Sequence, residues 1–456
     1  MWVYRVLAAF LRVAARVFFR QVEVVGQELL PTDENASIIF AGNHPNSLVD
    51  PILVVAFSGR IVHFAAKDTL FQSRLLRFFL RGLGAVPVMR KSDHGDAASN
   101  DSAFAALENV LAEGRCMGIF PEGISYDASS LQKLKTGAAR IALNACRNRP
   151  QLTVYIVPCG LTYIRKRRFR SRALLQFGPP ILVRGSETAD DSKELFEEAK
   201  TLTTRLETAI RALTINADDW ETLRVLDGVR RIYQPPAISI EERIELARRF
   251  SANFPFVKDK PNVIELFERV REYLDRLAAM GLRDRDILVE PSNSRVEFRL
   301  LRHVALLVVW LPLALPGLVL HAPIGLLAIF AGRFLTPRKD VIATTKLVAG
   351  LAGTLLLHLL LIVGAGWKWG GLGAVGVFLM LPLTGWATLQ VFDRLTHIRR
   401  WFGTFRALLR FPEQRRELME ERKALEQKVL EIVDQYRPKD LTLLFPRSRD
   451  DDAKKL

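Results

Sequence analysis

Short apolar runs alternate with helical patterns between residues 21 and 185. Runs of strand length occur at 36–41, 61–66, 84–89, 116–120, 153–160 and 173–178. Apolar residues at helical spacing fall near 51–58, 70–81, 100–113 and 135–147. Alternating strands and helices are typical of an α/β domain with a largely parallel sheet. We therefore predict an α/β domain over residues 21–185, without a strand order.

The pattern changes on both sides of this domain. In residues 1–20, four arginines recur at mostly four-residue spacing among apolar residues. This indicates an amphipathic helix lying in a membrane interface, or alternatively a helix packed on the domain. Residues 186–295 carry Glu, Arg, Leu and Ala at helical spacing and predict a helical region. Residues 393–456 predict a charged helix over 411–436 and a tail.

Residues 304–392 carry a membrane signal. The stretches 347–367 and 372–392 contain no Asp, Glu, Lys or Arg, and each would span ~31 Å as a helix. Only a short connection with Lys368 separates them, so we predict a hairpin over 347–392. The earlier run, 304–331, is interrupted by Pro312, Pro316 and Pro323.

Basic clusters decide between topologies of the membrane region. They lie at 295–302, 333–339 and 394–400. The positive-inside rule would place all three in the cytoplasm. We therefore expect segment 304–331 to be re-entrant or kinked and the α/β domain to lie on the cytoplasmic face of an integral membrane protein.

Composition narrows the partners. The chain has 65 Lys and Arg against 49 Asp and Glu, a formal net charge of +16, which suits an anionic partner. The long apolar stretches favour membrane phospholipids over nucleic acid. The basic run at 165–172 is interpreted as a lipid contact or as a solvated loop. Cys116, Cys146 and Cys159 have neither metal-ligand nor disulfide-framework spacing.

The segment NHPNSLVDP, 43–51, follows an apolar run and holds His44 and Asp50. A histidine beside a carboxylate at a strand end can act as an oriented general base. The alternative is structural, because Asp50 before Pro51 is also a common helix start. The two side chains meet only if the loop folds back.

A second turn, FPEGIS at 120–125, also follows an apolar run. Backbone N–H groups around Gly123 could stabilise an oxyanion, and Glu122 could order an acceptor site. Arg90 and Lys135 are candidates for binding phosphate. Two reactive turns after two strands predict one site at one edge of the sheet.

Four segments together resemble the motif blocks of the glycerol-3-phosphate and lysophosphatidate acyltransferase superfamily. They are NHPNSLVD at 43–50, GAVPVMR at 84–90, FPEG at 120–123 and VPCG at 157–160. The resemblance covers roughly residues 20–185. Five residues between His44 and Asp50, where four are commonest, resemble fungal glycerol-3-phosphate/dihydroxyacetone-phosphate acyltransferases, a subgroup with a large C-terminal membrane region.

The resemblance implies an O-acyltransferase of phospholipid biosynthesis. His44, held by Asp50, would deprotonate a hydroxyl of glycerol-3-phosphate or 1-acylglycerol-3-phosphate, which attacks the thioester of acyl-CoA or acyl carrier protein. Arg90, with Glu122, Gly123 and Lys135, would form the binding site for the acceptor. The resemblance also implies that the donor is a co-substrate and that neither a bound cofactor nor a metal is expected. Lysophospholipid remodelling, acylation of another lipid alcohol and a non-catalytic lipid-binding scaffold remain the alternatives.

Overall fold

The chain folds into two compact units. The computed structural model describes residues 2–33, 35–89, 101–184, 192–235, 238–288, 294–336, 338–410, 412–438 and 443–445. One unit comprises Met1–Ile215 and Ala328–Leu351, and the other comprises Asn216–Leu327 and Ala352–Leu456. We call them the catalytic unit and the helical unit.

All strands among the described residues lie in the catalytic unit. They are β1 Phe19–Val25, β2 Ser37–Gly42, β3 Val62–Lys67, β4 Val86–Val88, β5 Cys116–Ile119, β6 Thr153–Tyr163, β7 Ser171–Phe177 and β8 Ile181–Arg184. Its helices are α1 Trp2–Phe18, α2 Val49–Phe57, α3 Arg74–Gly82, α4 Asp101–Ala112, α5 Gly137–Asn148 and α6 Ser192–Leu213.

The eight strands form one mixed sheet with the order β1-β7-β6-β2-β5-β3-β4, and β8 pairs with β6. The pairs β1–β7, β2–β5, β2–β6, β3–β4 and β3–β5 are parallel, whereas β6 pairs antiparallel with β7 and β8. The α/β class and the predicted strands are confirmed. Strands β1 and β8 were not predicted, because β1 mixes polar and apolar residues and β8 has only four residues.

Strand β2 lies at the centre of the sheet and places the site. All six of its residues are buried, which requires apolar packing on both faces. Ile38 and Phe40 join the core formed with α1 and α2, while Ile39 and Ala41 join the core formed with α5 and α6. The loop that follows β2 therefore leaves a rigid strand at one edge of the sheet.

Helix α1 packs on the domain with one face and exposes another apolar face. Tyr4, Ala15 and Phe18 are buried in the core beside α2. Trp2 and Val6 on the opposite side remain 75% and 57% exposed. Both sequence interpretations therefore describe part of this helix, and its contact with a membrane interface stays a prediction.

The end of the first long apolar helix and the start of the second belong to the catalytic unit. Ala343 and Leu347 are buried in the same core as Leu53 of α2. The sequence assigned Leu347 to the start of a membrane hairpin. The structure instead packs it against the α/β domain, because a single uncharged stretch does not distinguish a lipid contact from a protein contact.

The helical unit contains α7 Trp220–Tyr233, α8 Ile240–Val257, α9 Pro261–Ala279, α10 Asp284–Ile287 and most of α11 Ser294–Phe334 and α12 Ile342–Arg410, followed by α13 Pro412–Tyr436. Helices α7, α8, α9 and α13 share one apolar core. Inside it, Arg422 Nε donates to Asp284 Oδ1 at 2.9 Å, and Tyr273 Oη donates to the same oxygen at 2.8 Å. This buried ion pair joins α13 to the preceding helices.

Helices α11 and α12 are candidate membrane spans by their length and composition. They contain apolar stretches at Leu301–Phe334 and Ile342–Arg399, and only 11% and 6% of their most apolar windows are buried in protein. Such exposed apolar surface distinguishes them from core helices of a soluble protein. Helix α12 is broken at Gly370, whose φ of 71° lies in the left-handed region.

Contacts within the helical unit indicate that α11 is bent. His321 Nε2 lies 2.9 Å from His358 Nε2 in the first half of α12, while Trp310 stacks edge-on with Trp386 in the second half. A Cβ on Gly366 would lie 3.5 Å from Ala374, so the two halves of α12 double back at Gly370. The side of the membrane that each end faces stays a prediction.

Candidate active site

His44 lies in the loop that joins the end of β2 to α2. Its Nδ1 and Asp50 Oδ2 are 2.8 Å apart, and Asp50 is completely buried. Asp50 sits in the first turn of α2, but the residue at the N-cap is Leu48 and makes no side-chain cap bond. A helix does start here, as the sequence predicts, but Asp50 is not its N-cap, and its Oδ2 instead accepts from His44 and from the Asn46 N–H, 2.7 Å away.

The other oxygen of Asp50 is held by Tyr163 at the end of β6. Tyr163 Oη donates to Asp50 Oδ1 at 2.5 Å. Burial, together with the adjacent carboxylate, raises the pKa of Tyr163 well above its usual value, so the phenol stays a donor. Both carboxylate oxygens of Asp50 thus accept hydrogen bonds that fix its position. Asp50 can therefore hold His44 in one tautomer, with Nδ1 protonated.

The aromatic ring of Phe120 also holds the imidazole of His44 in place. Phe120 stacks on it with ring centroids 4.2 Å apart and planes 8° from parallel. The His44 side chain keeps 12% exposure. Since Nδ1 faces Asp50, Nε2 carries the free lone pair, and this is the atom that can accept a proton from a bound hydroxyl.

Glu122 connects the two motif turns. Its Oε1 accepts from the backbone N–H of His44 at 2.7 Å, and its Oε2 accepts from the N–H of Gln132 at 3.3 Å. Burial raises the pKa of Glu122. The carboxyl is only 6% exposed, so in this structure it orders the loop backbones. Any contact with the acceptor would be additional to that role.

Gly123 and Lys135 meet beside Glu122. Gly123 has a φ of 79°, and a Cβ there would lie 2.6 Å from Lys135 Nζ. Both constraints favour glycine. The Gly123 N–H donates to Phe120 O at 2.9 Å, so the turn uses this group internally. The N–H of Gly123 itself is therefore occupied, and stabilisation of an oxyanion by other N–H groups around it stays a prediction.

The structure brings together five of the six predicted site residues: His44, Asp50, Glu122, Gly123 and Lys135. Arg90 lies outside the described residues. No group of His, Cys, Asp and Glu that could hold a metal ion occurs in the described part of the chain. Burial raises the pKa of both Cys116 and Cys146 to about 11, so neither thiol is activated as a nucleophile.

Residues far along the chain hold the same two turns. Ser125 Oγ donates to Asp340 Oδ2 at 2.5 Å, and Arg338 Nη2 donates to the Ser125 carbonyl and to Asp340, each at 2.7 Å. Thr344 Oγ1 donates to the Asn46 carbonyl at 3.4 Å. Ser125 and Asp340 are both buried. The segment 338–344 therefore contacts both loops that carry the site.

The basic run at 165–172 is partly used inside the protein. Lys166 Nζ lies 2.5 Å from Asp127 Oδ1 and also pairs with the Pro45 carbonyl at 3.3 Å, and Arg167 pairs with Asp127. Arg170 Nη1 donates to the carbonyl of Val17 in α1 at 3.2 Å. Lys166 thus contacts the loop around His44, a role that the two interpretations from sequence did not include.

The family description "Acyltransferase" matches residues 21–162, which contain every predicted site residue. Residues 21–162 are therefore similar to known acyltransferase domains. Residues 225–334 match a second description, "Glycerol-3-phosphate acyltransferase 2 C-terminal domain". Tyr163 and Asp340 both fall outside the matched part of the acyltransferase domain, although the structure ties them to it.

Named relatives extend this similarity beyond the acyltransferase domain. Glycerol-3-phosphate O-acyltransferase 2 of Saccharomyces cerevisiae is 24% identical over 78% of this chain and 62% of its own length. Glycerol-3-phosphate O-acyltransferase 1 of the same yeast is 29% identical over 55% and 35%. A 1-acyl-sn-glycerol-3-phosphate acyltransferase of Bacillus subtilis is 34% identical over 26% and 56%. The chain is homologous to these enzymes but spans less than two thirds of each one's length.

Among solved structures, the 1-acyl-sn-glycerophosphate acyltransferase PlsC of Thermotoga maritima is 22% identical. The match covers 45% of this chain and 78% of that one, with a TM-score of 0.32.

Proposed function

We propose that this protein transfers a fatty acyl group from a thioester donor to a hydroxyl of a phosphorylated glycerol. The observation that carries the proposal is the His44–Asp50 pair, with Nδ1 held at 2.8 Å by a buried carboxylate and Nε2 left for the substrate. General bases of this kind contribute about 10²- to 10⁴-fold to a reaction rate. The homologous enzymes catalyse reactions of this class.

The mechanism needs no covalent intermediate. The acceptor hydroxyl gives its proton to His44 Nε2 while its oxygen forms a bond to the thioester carbonyl carbon. The resulting tetrahedral oxyanion collapses, the carbon–sulfur bond breaks, and the protonated imidazole returns the proton to the thiolate. Asp50 stabilises the imidazolium in between, and Tyr163 keeps Asp50 in place.

Glycerol-3-phosphate is the acceptor that we favour over 1-acylglycerol-3-phosphate. The yeast relative named for glycerol-3-phosphate matches 78% of this chain, whereas the Bacillus relative named for the acylated acceptor matches 26%. The match over residues 225–334 points the same way. Acyl-CoA or acyl carrier protein would be the donor, and the domain would act at the cytoplasmic face of the membrane.

An acyl-transfer assay tests both parts of the proposal. The purified full-length protein, reconstituted in lipid nanodiscs, is supplied with acyl-CoA or acyl carrier protein thioester and with one acceptor at a time. We expect a higher kcat/KM for glycerol-3-phosphate than for 1-acylglycerol-3-phosphate. The reverse order would overturn the acceptor assignment and leave the chemistry, whereas no transfer to either would overturn the chemistry.

Arg90 supplies a second test of the acceptor. A guanidinium can hold a phosphate by two parallel hydrogen bonds, which a lysine reproduces imperfectly. We expect Arg90→Ala to raise the acceptor KM with little change in the donor KM, and Arg90→Lys to recover part of the loss. An effect on the donor alone would refute a role for Arg90 in acceptor binding.

A further inference from the structure

Helices α1 and α3 enclose an open groove at the surface of the catalytic unit. Its volume is about 550 Å³, and its lining consists of Val3, Tyr4, Arg74, Arg77, Phe78, Arg81 and Gly82. We call this feature the α1–α3 groove. It is built from elements other than those that carry His44 and Glu122, and the acyl-transfer mechanism does not use it.

Three arginines give the groove a concentrated positive charge. Arg74, Arg77 and Arg81 follow one another at spacings of three and four residues, which places them on one face of α3. All three are exposed, and no carboxylate of the described residues lies within ion-pair distance of any of them. Arg77 Nε donates to the Phe71 carbonyl at 2.6 Å, which orients its guanidinium.

The two helices are packed closely at the base of the groove. A Cβ added to Gly82 would lie 2.8 Å from Leu7 Cδ1 of α1. The hydroxyl of Tyr4 accepts from the Val62 N–H at 2.8 Å, so its ring serves as a wall. The arginines are thus the groups in the groove that are left to bind a ligand, and α1 fixes the position of α3 beside them.

Both helices of the groove carry exposed apolar side chains. On α1, Trp2, Val6 and Val13 are 75%, 57% and 62% exposed, and their spacing places them along one stripe. On α3, Phe78 is 65% exposed. Apolar side chains beside arginines are typical of a surface that enters the head-group layer of a membrane.

We propose that the α1–α3 groove binds the phosphate of an anionic membrane phospholipid. Three guanidiniums on one helix face, without an acidic partner among the described residues, fit a phosphate through paired hydrogen bonds. Trp2 and Phe78 would then lie beside the glycerol and the upper acyl chain, a contact that a water-soluble phosphate does not provide. A nucleic acid would leave this apolar rim exposed to water. The inference concerns lipid binding and does not depend on the acyl-transfer reaction.

Lipid binding can be measured with the full-length protein in a neutral detergent. Native mass spectrometry would compare retention of dioctanoyl phosphatidylglycerol with that of dioctanoyl phosphatidylcholine. A variant with Arg74→Gln, Arg77→Gln and Arg81→Gln should lose the preference for phosphatidylglycerol by on the order of 100-fold, since each arginine at an anionic surface contributes about fivefold. Retention of phosphatidylcholine should not change.

Matched variants separate this site from a general charge effect. Exchanging the three arginines for lysine keeps the charge and should keep most of the preference, which also controls for folding. Exchanging Arg147, Arg149 and Arg205, exposed arginines elsewhere in the same unit, for glutamine removes equal charge and should change nothing. An equal loss in both glutamine variants would overturn the proposal.

Variants of the exposed apolar side chains test whether the bound phosphate belongs to a lipid or is free in solution. Trp2→Ala with Phe78→Ala should weaken retention of phosphatidylglycerol several-fold and leave the binding of inorganic phosphate unchanged. If inorganic phosphate displaced the lipid at equal concentration and the alanine variant bound lipid as well as the wild type, the groove would be a site for soluble phosphate, and the lipid assignment would be wrong.

Discussion

Two buried carboxylates of the catalytic unit, Asp50 and Asp340, reach the same site by different routes. Asp50 is six residues from its partner His44, within one motif. Asp340 is 215 residues from its partner Ser125 and follows a long apolar helix. Both carboxylates are at most 5% exposed, and each accepts more than one hydrogen bond. The comparison shows that the region defined by the acyltransferase motifs does not include Asp340, although this residue helps to hold one of the loops that carry the site.

The largest effect in this comparison is expected at Asp50. Asp50→Asn keeps the shape of the side chain but removes the negative charge that stabilises the imidazolium, and an amide can present the wrong group to Nδ1. We expect kcat to fall by about 10²- to 10⁴-fold, with the acceptor KM changed much less. Steady-state kinetics in nanodiscs would measure both. A kcat within a factor of three of the wild type would remove Asp50 from the mechanism.

Tyr163 should have an intermediate effect. Tyr163→Phe leaves Asp50 Oδ1 without its 2.5 Å donor but keeps the ring. Because the Nδ1 contact remains, we expect kcat to fall by about tenfold, which corresponds to one hydrogen bond to a charged group. The double variant with Asp50→Asn provides the control. If Tyr163 acts through Asp50, adding Tyr163→Phe to Asp50→Asn should cost little more, whereas a full additional tenfold loss would show an independent role.

Asp340 should have a similar or smaller effect on kcat, through Ser125. Asp340→Asn weakens the contact that holds the turn after Glu122, and loop misplacement at this level costs on the order of tenfold. The double-mutant cycle with Ser125→Ala isolates the pair, and we expect a coupling of about 0.5–3 kcal/mol. Two effects that simply add would mean that Ser125 and Asp340 do not act together. Asp340→Glu should recover part of the rate if carboxylate contact is what matters.

The smallest effect on turnover is expected from an ion pair in the helical unit. Arg422 and Asp284 have side chains 8% and 6% exposed, so Arg422→Met leaves a buried charge unpaired. This should lower the free energy of unfolding of that unit by about 3–5 kcal/mol. Turnover per folded molecule should stay the same. Thermal unfolding with active-site-normalised kinetics would measure both, and a large fall in kcat without a loss of stability would link this pair to the chemistry.

The parts of the site that could be predicted are those that neighbouring residues encode. His44 and Asp50 lie in one short segment after a strand, and Glu122 and Gly123 lie in another, so parallel strands bring the two turns together. Tyr163 is not among the predicted site residues, because the apolar run predicts a strand that ends at residue 160. In the structure β6 continues through Leu161, Thr162 and Tyr163. The strand pairing with β7, which no local pattern reveals, keeps these residues extended.

The fold was predictable where apolar runs are buried on both sides of the sheet, as in β2 and β5. It was not predictable at β1, whose mixed polar and apolar residues gain their strand form from pairing with β7. Asp340 illustrates the same limit for the site. Its neighbours Arg338 and Lys339 indicate a membrane-flanking basic cluster, and only the tertiary contact with Ser125 shows that this segment belongs to the catalytic unit.

The account depends most directly on His44 as the proton acceptor. The decisive measurement is the rate of thiol release from acyl-CoA in the presence of glycerol-3-phosphate, compared between wild type and His44→Ala in matched nanodiscs with equal protein. We predict that the wild type forms acylated acceptor and thiol in equal amounts, and that His44→Ala loses at least about 10²-fold of this rate while staying folded and membrane-bound. A folded His44→Ala protein with near-normal, acceptor-dependent turnover would contradict the account.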